Sequence, residues 1–181
     1  MKIALFGGSF NPPHVGHLLV ASYVLATADI DELWLMPARR HAFGKALAPF
    51  EDRVAMCHLL AAQFASGVRV SKVEAELAGS GRTVDTLEHL KSTMPSHDFR
   101  LVVGADILEE SELWSEFDRV RELAPLLVVA RSGHPHPEAQ GPAMPEVSST
   151  LVRELIRRGE GAQRLLPRTV LAYIKERGLY R

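Results

Sequence analysis

Short apolar segments alternate with helix-like segments along the whole chain, and this alternation limits the folds open to it. The strand-like segments are Lys2–Phe6, Glu32–Pro37, Val68–Glu76, Asp98–Val103 and Leu126–Arg131. Apolar strands that alternate with helices are typical of a parallel sheet covered by helices on both faces. The pattern therefore predicts an α/β fold with a doubly wound parallel sheet, in which ligands bind at the carboxyl ends of the strands.

Helical patterns fill the spaces between these strands and the end of the chain. We predict helices in His17–Ile30, in Phe50–Phe64, after the glycine-rich segment that starts at Gly79, in Ile107–Ala124, from Ser148 onward and in Leu166–Tyr180. Two segments are predicted loops: 38–49, which is polar and basic with one Gly and one Pro, and 132–147, which is rich in Pro and Gly and has room for a short strand at its end. With 181 residues and no repeat, we expect one domain over 1–181 with a small helical portion at about 149–181.

Composition argues against several classes of protein. Lys and Arg number 21 against 22 Asp and Glu, so no basic excess indicates a nucleic-acid polymer as partner. Cys57 is the one cysteine, so no internal disulfide can form, and its apolar helical surroundings predict a core position. The apolar run before Gly7 is too short for a signal peptide, and none approaches the ~18 residues of a membrane helix. We expect a soluble cytoplasmic protein without a membrane partner.

The segment GGSFNPPHVGH, from Gly7 to His17, joins the first strand to the first helix. Its glycines allow a ligand to approach the backbone, and the free N–H groups of a helix start favour phosphate. It matches neither a Walker A loop nor GxGxxG. His14 and His17 share one helix face, where imidazoles can donate hydrogen bonds to phosphoryl oxygens. Two alternatives stay open: a zinc pair, although the i, i+4 spacing and intervening Glu of zincins are missing, and histidines that only cap the helix.

A second anion site is predicted at SSTLVR, residues 148–153. Three hydroxyl residues at a helix start, followed by Arg153 one turn later, suit a phosphate group. The alternative is an ordinary N-cap with a surface arginine. Together the two segments predict a polyphosphate held between two helix N-termini, close to the glycine-rich end of the fourth strand, VVGAD.

Both segments resemble motifs of the nucleotidyltransferase superfamily, GxFxPxHxGH and ISSTxxR. HAFGK, DRVAM, RTVDTLEHL, VVGAD with Trp114 ten residues beyond Gly104, LLVVAR and the ending YIKERGLY extend the resemblance to nicotinate/nicotinamide mononucleotide adenylyltransferases over nearly the whole chain. The resemblance implies a Rossmann-like fold and a reaction between ATP and a pyridine mononucleotide, with Mg²⁺ as cofactor, that gives the dinucleotide and pyrophosphate. A homo-oligomer stays open.

The resemblance also implies roles on the ATP side of the site. His14 and His17 would contact the ATP phosphates, and His17 would stabilise the transition state. The other implied residues line the cleft through their backbone (Gly8, Ser9, Phe10), hold the β and γ phosphates (Ser149, Thr150, Arg153), meet the adenosine (Gly104, Asp106) or lie beside the nucleotide (Arg131).

On the mononucleotide side the resemblance implies Lys45, Arg53, Thr83, Thr86 and Trp114. Trp114 would stack on the pyridine ring, although an aromatic side chain of this size is equally suited to a core. Thr83 is equally suited to cap its helix, and the two cations to lie in solvent.

Three features depart from the family pattern. Asn11 stands where Asp is common, the loop ARRHAFGK lacks prolines before its histidine, and Arg82 stands where Tyr is common. The last two lie on the mononucleotide side, so nicotinate and nicotinamide both stay open as the base of the acceptor. Two alternative functions also stay open: a related enzyme with another phosphate-monoester acceptor, and a nucleotide-binding sensor without turnover.

Overall fold

All strands of the described chain pair in parallel in one sheet, in the order β3-β2-β1-β4-β5-β6. The computed structural model describes residues 1–39, 46–77, 81–109, 114 and 116–181. The strands are β1 (Lys2–Gly8), β2 (Glu32–Pro37), β3 (Val68–Val70), β4 (Asp98–Gly104), β5 (Leu126–Arg131) and β6 (Gln140–Met144). The predicted doubly wound parallel sheet is confirmed.

The helices follow the predicted alternation. They are α1 (Val15–Thr27), α2 (Phe50–Ala61), α3 (Val73–Glu76), α4 (Thr83–Thr93), α5 (Ala105–Glu109), α6 (Phe117–Leu123), α7 (Ser149–Arg158) and α8 (Arg168–Arg177), with a 3₁₀ turn at Ala162–Arg164. No helix within the described ranges has the length and apolarity needed to cross a membrane.

The strand order reverses beside β1, and this reversal fixes the place of a ligand site. The chain moves outward from β1 to β2 and β3, then crosses back so that β4 pairs with the other side of β1. Leu5 is in register with Trp34 of β2 and with Leu101 of β4. In such sheets a crevice opens beyond the carboxyl ends of the two strands at the reversal, which here are β1 and β4.

Both faces of the sheet are buried, as the continuous apolar strands predict. Ile3 and Leu5 of β1 point into one apolar layer, which α4 and α6 cover. Ala4 between them points into the opposite layer, which α1 and α2 cover. Since successive strand residues face opposite sides, this central strand can contain almost no polar residue.

Two predicted elements are wrong in their extent. The strand predicted at Val68–Glu76 ends at Val70, because the Ser71 hydroxyl accepts the N–H of Val73 and the chain turns into the short helix α3. The helix predicted at Ile107–Ala124 is divided into α5 and α6. Glu116 between them has a φ of +57°, a left-handed conformation that a continuous right-handed helix excludes.

The C-terminal helices α7 and α8 pack on the outer side of α2, not on the sheet. Met56 of α2 lies in one cluster with Val152 of α7 and Ile174 of α8. Beside it, the buried carboxylate of Asp52 accepts hydrogen bonds from the Tyr173 hydroxyl (2.7 Å) and from Nε of Arg177 (3.0 Å). These two hydrogen bonds hold α8 against α2.

We expect Asp52→Ala to lower the free energy of unfolding by about 1–3 kcal/mol, because it removes a buried acceptor from two donors. Urea denaturation would measure the change. The matched control is Asp29→Ala, which removes the exposed partner of Lys2 and should have little effect on stability. Equal destabilisation by the two substitutions would contradict this role of Asp52.

Candidate active site

A cavity of about 580 Å³ opens at the carboxyl edge of the sheet, where the chain leaves β1, β4 and β5. It lies at the strand-order reversal, as the fold predicts. The predicted site residues that line it are Gly8, Ser9, His14, His17, Thr83, Thr86, Gly104, Asp106, Trp114, Arg131, Ser149, Thr150 and Arg153. The fold therefore brings together segments that are more than a hundred residues apart in the chain.

His14 and His17 form a reciprocal cap at the start of α1. Nδ1 of His14 accepts the N–H of Gly16 (3.1 Å), and Nδ1 of His17 accepts the N–H of His14 (3.1 Å). The two imidazole rings lie 3.9 Å apart between centroids. The capping alternative is therefore correct as geometry, but it does not remove the rings from the site, because both also line the cavity.

The cap fixes the protonation of both imidazoles. A ring nitrogen that accepts a backbone N–H carries no proton, so the proton of each neutral ring is on Nε2. Burial, with the nearby cation of Arg131, lowers the pKa of His14 to about 4. Burial also lowers the pKa of His17, with further contributions from His14 and Arg131. At neutral pH the cleft therefore holds two uncharged rings whose remaining donor is Nε2–H.

The prediction that free N–H groups at the start of α1 bind a phosphate is wrong, because these groups already have hydrogen-bond partners. The N–H of Val15 donates to the carbonyl of Leu165 (2.9 Å), and that of Gly16 donates to the His14 ring. The next two N–H groups, of His17 and Leu18, both donate to the His14 carbonyl. An anion at this helix start would therefore meet the imidazoles and not free N–H groups of the first turn.

The start of α7 contacts the first motif directly. The Ser149 hydroxyl donates to the carbonyl of Pro12 (2.9 Å), and the Arg153 guanidinium donates to the carbonyl of Asn11 (2.7 Å). Ser148 is the N-cap and accepts the N–H of Leu151. The backbone N–H groups of Ser149 and Thr150 have no hydrogen-bond partner within the described part of the chain. They give this helix start the free donors that α1 lacks.

Asp106 and Arg131 form an ion pair across the ends of β4 and β5, with 2.8 Å between the carboxylate and the guanidinium. A side chain at Gly104 would overlap the other carboxylate oxygen, so it would displace the Asp106 carboxylate from its present position. That oxygen, Oδ1, is buried and has no hydrogen-bond partner among the residues described. A buried acceptor without a donor is costly, and a ligand hydroxyl in the cavity would satisfy it.

The side chains predicted to bind the mononucleotide lie on the other flank of the cavity. Trp114 lines it and also contacts Phe117 edge-on, with ring centroids 5.9 Å apart, so it is both a wall and a member of the apolar layer. Thr83 and Thr86 line it from α4, and among the described residues no side-chain hydrogen bond caps that helix. Arg82 is half-exposed and pairs with Asp85 and Glu116, outside the cavity lining.

Two predicted residues, Phe10 and Arg53, do not line the cavity in the described structure. Lys45 lies outside the described residues. The ring of Phe10 is fully buried behind the cleft, in the layer that contains Ala4. Arg53 is 1% exposed, so the alternative that its cation lies in solvent is wrong, and its role beside the mononucleotide stays a prediction. Burial forces its N–H groups onto protein acceptors.

Those acceptors are backbone carbonyls of the segments that surround the cleft. The Arg53 guanidinium donates to the carbonyls of Ser9 (2.9 Å), Ala38 (2.7 Å) and Ala48 (3.0 Å). It therefore holds the loop after β1 and the two ends of the loop after β2 in one arrangement.

The sequence analysis assigned no site role to Asn11 or Glu74, although both side chains line the cavity. Asn11 is 2% exposed, and its Oδ1 accepts both the N–H of Ala48 (3.0 Å) and the hydroxyl of Tyr180 (2.9 Å). Glu74 accepts the N–H of Arg39, and burial raises its pKa. No local pattern predicts these contacts, because the partners of both side chains come from distant segments.

The chain is similar to proteins of known family over its full length. The cytidylyltransferase-like family model matches residues 5–155. The probable nicotinate-nucleotide adenylyltransferase of Myxococcus xanthus is 49% identical over 99% of this chain and 95% of that protein. The one of Anaeromyxobacter dehalogenans (strain 2CP-C) is 54% identical, over 99% and 97%.

A solved structure of similar fold is the nicotinic acid mononucleotide adenylyltransferase of Plasmodium falciparum complexed with NaAD. Its TM-score is 0.85 at 20% identity, over 99% of this chain and 97% of that one.

The low pKa of His14 predicts a pH-dependent stability. The unfolded chain binds a proton at His14 near pH 6.5 and the folded protein only near pH 4, so the free energy of unfolding falls as the pH falls through this window. His14→Asn keeps a capping oxygen and removes the titration, so the dependence should flatten by about 1 kcal/mol per pH unit. Urea denaturation between pH 4.5 and 7 measures it. An identical pH dependence of the unfolding free energy in the wild-type protein and in His14→Asn would contradict the lowered pKa of His14.

Proposed function

The chain belongs to the cytidylyltransferase-like family and groups with the nicotinate-nucleotide adenylyltransferases, and we propose from this that it transfers the adenylyl group of ATP to a pyridine mononucleotide. The favoured acceptor is nicotinate mononucleotide, and the products are the dinucleotide and pyrophosphate. The observation that carries the proposal is the pair of neutral imidazoles, each with Nε2–H as its donor, at the strand-order reversal opposite the start of α7.

This chemistry needs alignment and charge stabilisation more than a protein nucleophile. The phosphate of the mononucleotide is itself the nucleophile: one of its oxygens bonds to the α-phosphorus of ATP as the bond from that phosphorus to pyrophosphate breaks. Negative charge grows on the oxygens around the transferred phosphorus and on the leaving pyrophosphate. Preorganised donors in a site shielded from water stabilise that charge.

The donors in the cleft have complementary places in this reaction. We assign the Nε2–H groups of His14 and His17 to the α-phosphate and its neighbour, because no proton transfer is required of them and they are neutral at pH 7. The free N–H groups of Ser149 and Thr150, with the positive end of the α7 dipole, suit the terminal phosphates. Arg131 adds a positive charge on the same side.

The rest of the cleft fits the two nucleosides. The unpartnered Oδ1 of Asp106 is an acceptor for a hydroxyl of the adenosine ribose. Trp114 and Ile107 offer an apolar wall for a pyridine ring, and the hydroxyls of Thr83 and Thr86 lie beside it. These assignments follow the predicted division of the cavity into an ATP side and a mononucleotide side.

We propose that Mg²⁺ enters as part of the substrate, bound to ATP. Within the described ranges no group of three or more His, Cys, Asp or Glu side chains could hold a metal ion. Mg²⁺ commonly keeps several waters and binds through substrate phosphates with few protein carboxylates. The donor set of the cleft therefore fits MgATP better than a resident metal.

One assay tests the proposed function against its alternatives. The protein is incubated with MgATP and, in turn, nicotinate mononucleotide, nicotinamide mononucleotide and phosphopantetheine, and pyrophosphate release is followed. We expect turnover with the pyridine mononucleotides and the highest kcat/KM with the nicotinate form. Turnover with phosphopantetheine alone would favour another acceptor, and ATP binding without turnover would favour a sensor.

Two substitutions of His17 test separately its Nε2–H donor and its role as a cap of α1. His17→Asn keeps an acceptor near the position of Nδ1 and loses the Nε2 donor, so turnover should fall about 10²-fold while folding is retained. His17→Gln places an amide N–H near the position of Nε2 and loses the cap, so it should keep more turnover and lose more stability. Turnover numbers and thermal unfolding of both variants measure this, and near-normal turnover in His17→Asn would exclude the donor role.

A further inference from the structure

We propose that Tyr180, one residue from the end of the chain, is a positioning residue for the ATP site that acts through the carboxamide of Asn11. The inference rests on the proposed function, because it assigns ATP to the side of the cavity that Asn11 lines. Tyr180 itself is outside the cavity lining. Its effect is on the geometry of the bend at Asn11 and Pro12 that precedes His14.

Three side chains from the last third of the chain donate hydrogen bonds to the Asn11–Pro12 bend. The Tyr180 hydroxyl donates to Oδ1 of Asn11 (2.9 Å), Arg153 donates to the Asn11 carbonyl (2.7 Å), and Ser149 donates to the Pro12 carbonyl (2.9 Å). Arg153 and Ser149 belong to the second anion-binding segment. The bend is therefore the place where the two halves of the predicted phosphate site are joined.

The backbone after α8 turns so that the Tyr180 hydroxyl reaches Asn11. Gly178 ends α8 in a left-handed conformation with a φ of +63°, and the N–H of Leu179 returns to the carbonyl of Ile174. Tyr180 itself has a φ of +65°, a conformation that costs energy for a residue with a side chain. Leu179 and Tyr180 both pack against the cluster that contains Ile174. The tail thus turns back toward the site instead of leaving the surface.

Asn11 can satisfy both donors through one oxygen. Its Oδ1 accepts the hydroxyl of Tyr180 and the N–H of Ala48, whose own carbonyl accepts the buried Arg53. Burial raises the pKa of Tyr180, so its phenol keeps its proton and donates at neutral pH. Without that hydroxyl the buried carboxamide keeps a single partner on Oδ1, and the bend loses its link to the C-terminal tail.

Loss of the hydrogen bond from Tyr180 should affect the groups that we assign to ATP, because the bend is joined to them. It leads into His14, and its carbonyls fix Ser149 and Arg153 at the start of α7. On the mononucleotide side, the described hydrogen bond to the bend comes from the N–H of Ala48 to Asn11, and removal of the Tyr180 hydroxyl leaves that bond in place. Loss of the Tyr180 hydroxyl should therefore weaken ATP binding more than acceptor binding.

The test compares Tyr180→Phe with Tyr173→Phe. Each removes one hydroxyl from the C-terminal segment, but the hydroxyl of Tyr173 donates to Asp52 and not to Asn11 or Pro12. We expect Tyr180→Phe to raise KM for ATP, and Kd for a non-hydrolysable ATP analogue, about three- to tenfold, as for the loss of one hydrogen bond. KM for the mononucleotide should stay within about twofold. Tyr173→Phe should lower the temperature of unfolding and leave both KM values unchanged.

A double-mutant cycle tests the route through Asn11. If Tyr180 acts on ATP through that side chain, Tyr180→Phe should have no further effect on KM for ATP in an Asn11→Ala background. Equal ATP affinity in Tyr180→Phe and wild type, or fully additive effects in the cycle, would overturn the inference. A wild-type protein that forms no dinucleotide would instead overturn the proposed function, so the two failures are distinguishable.

Discussion

The reciprocal hydrogen bonds between the rings of His14 and His17 and the backbone at the start of α1 are the constraint on which the cleft depends. In these bonds the Nδ1 atom of each ring is an acceptor, so the proton of each ring is on Nε2. The same bonds hold the two rings in contact. Burial keeps the rings uncharged at neutral pH. A local capping arrangement, worth little more than any helix cap in stability, thereby sets the chemistry that the site can perform.

The remainder of the chain holds this arrangement at the edge of the sheet. The reversal of strand order places the carboxyl ends of β1 and β4 side by side, and the buried guanidinium of Arg53 fixes the loops that leave β1 and β2. On the C-terminal side, the carbonyl of Leu165 accepts the first N–H of α1. The side chains of Ser149 and Arg153 donate to the carbonyls of the Asn11–Pro12 bend that precedes α1. The C-terminal helices are therefore part of the active-site framework, because they bind the segment that carries the histidines.

The sequence predicted what local patterns determine and missed what distant contacts determine. Apolar periodicity and glycine positions were sufficient for the sheet, most helices and the location of the cleft. The burial of Arg53 was not predicted because its charge favours exposure, whereas distant carbonyls make that burial possible. The strand predicted through Glu76 was cut short by a single hydroxyl, that of Ser71. The role of Asn11 depends on Tyr180, a partner 169 positions away.

The most direct test of this account is the protonation state of the two imidazoles, read by long-range ¹H–¹⁵N correlation NMR at neutral pH, with and without a non-hydrolysable MgATP analogue. We predict that His14 and His17 are both neutral with the proton on Nε2, and that the Nε2–H resonance of His17 shifts when the analogue binds. A proton on Nδ1, an imidazolium, or Nε2 resonances that do not respond to the analogue would contradict it.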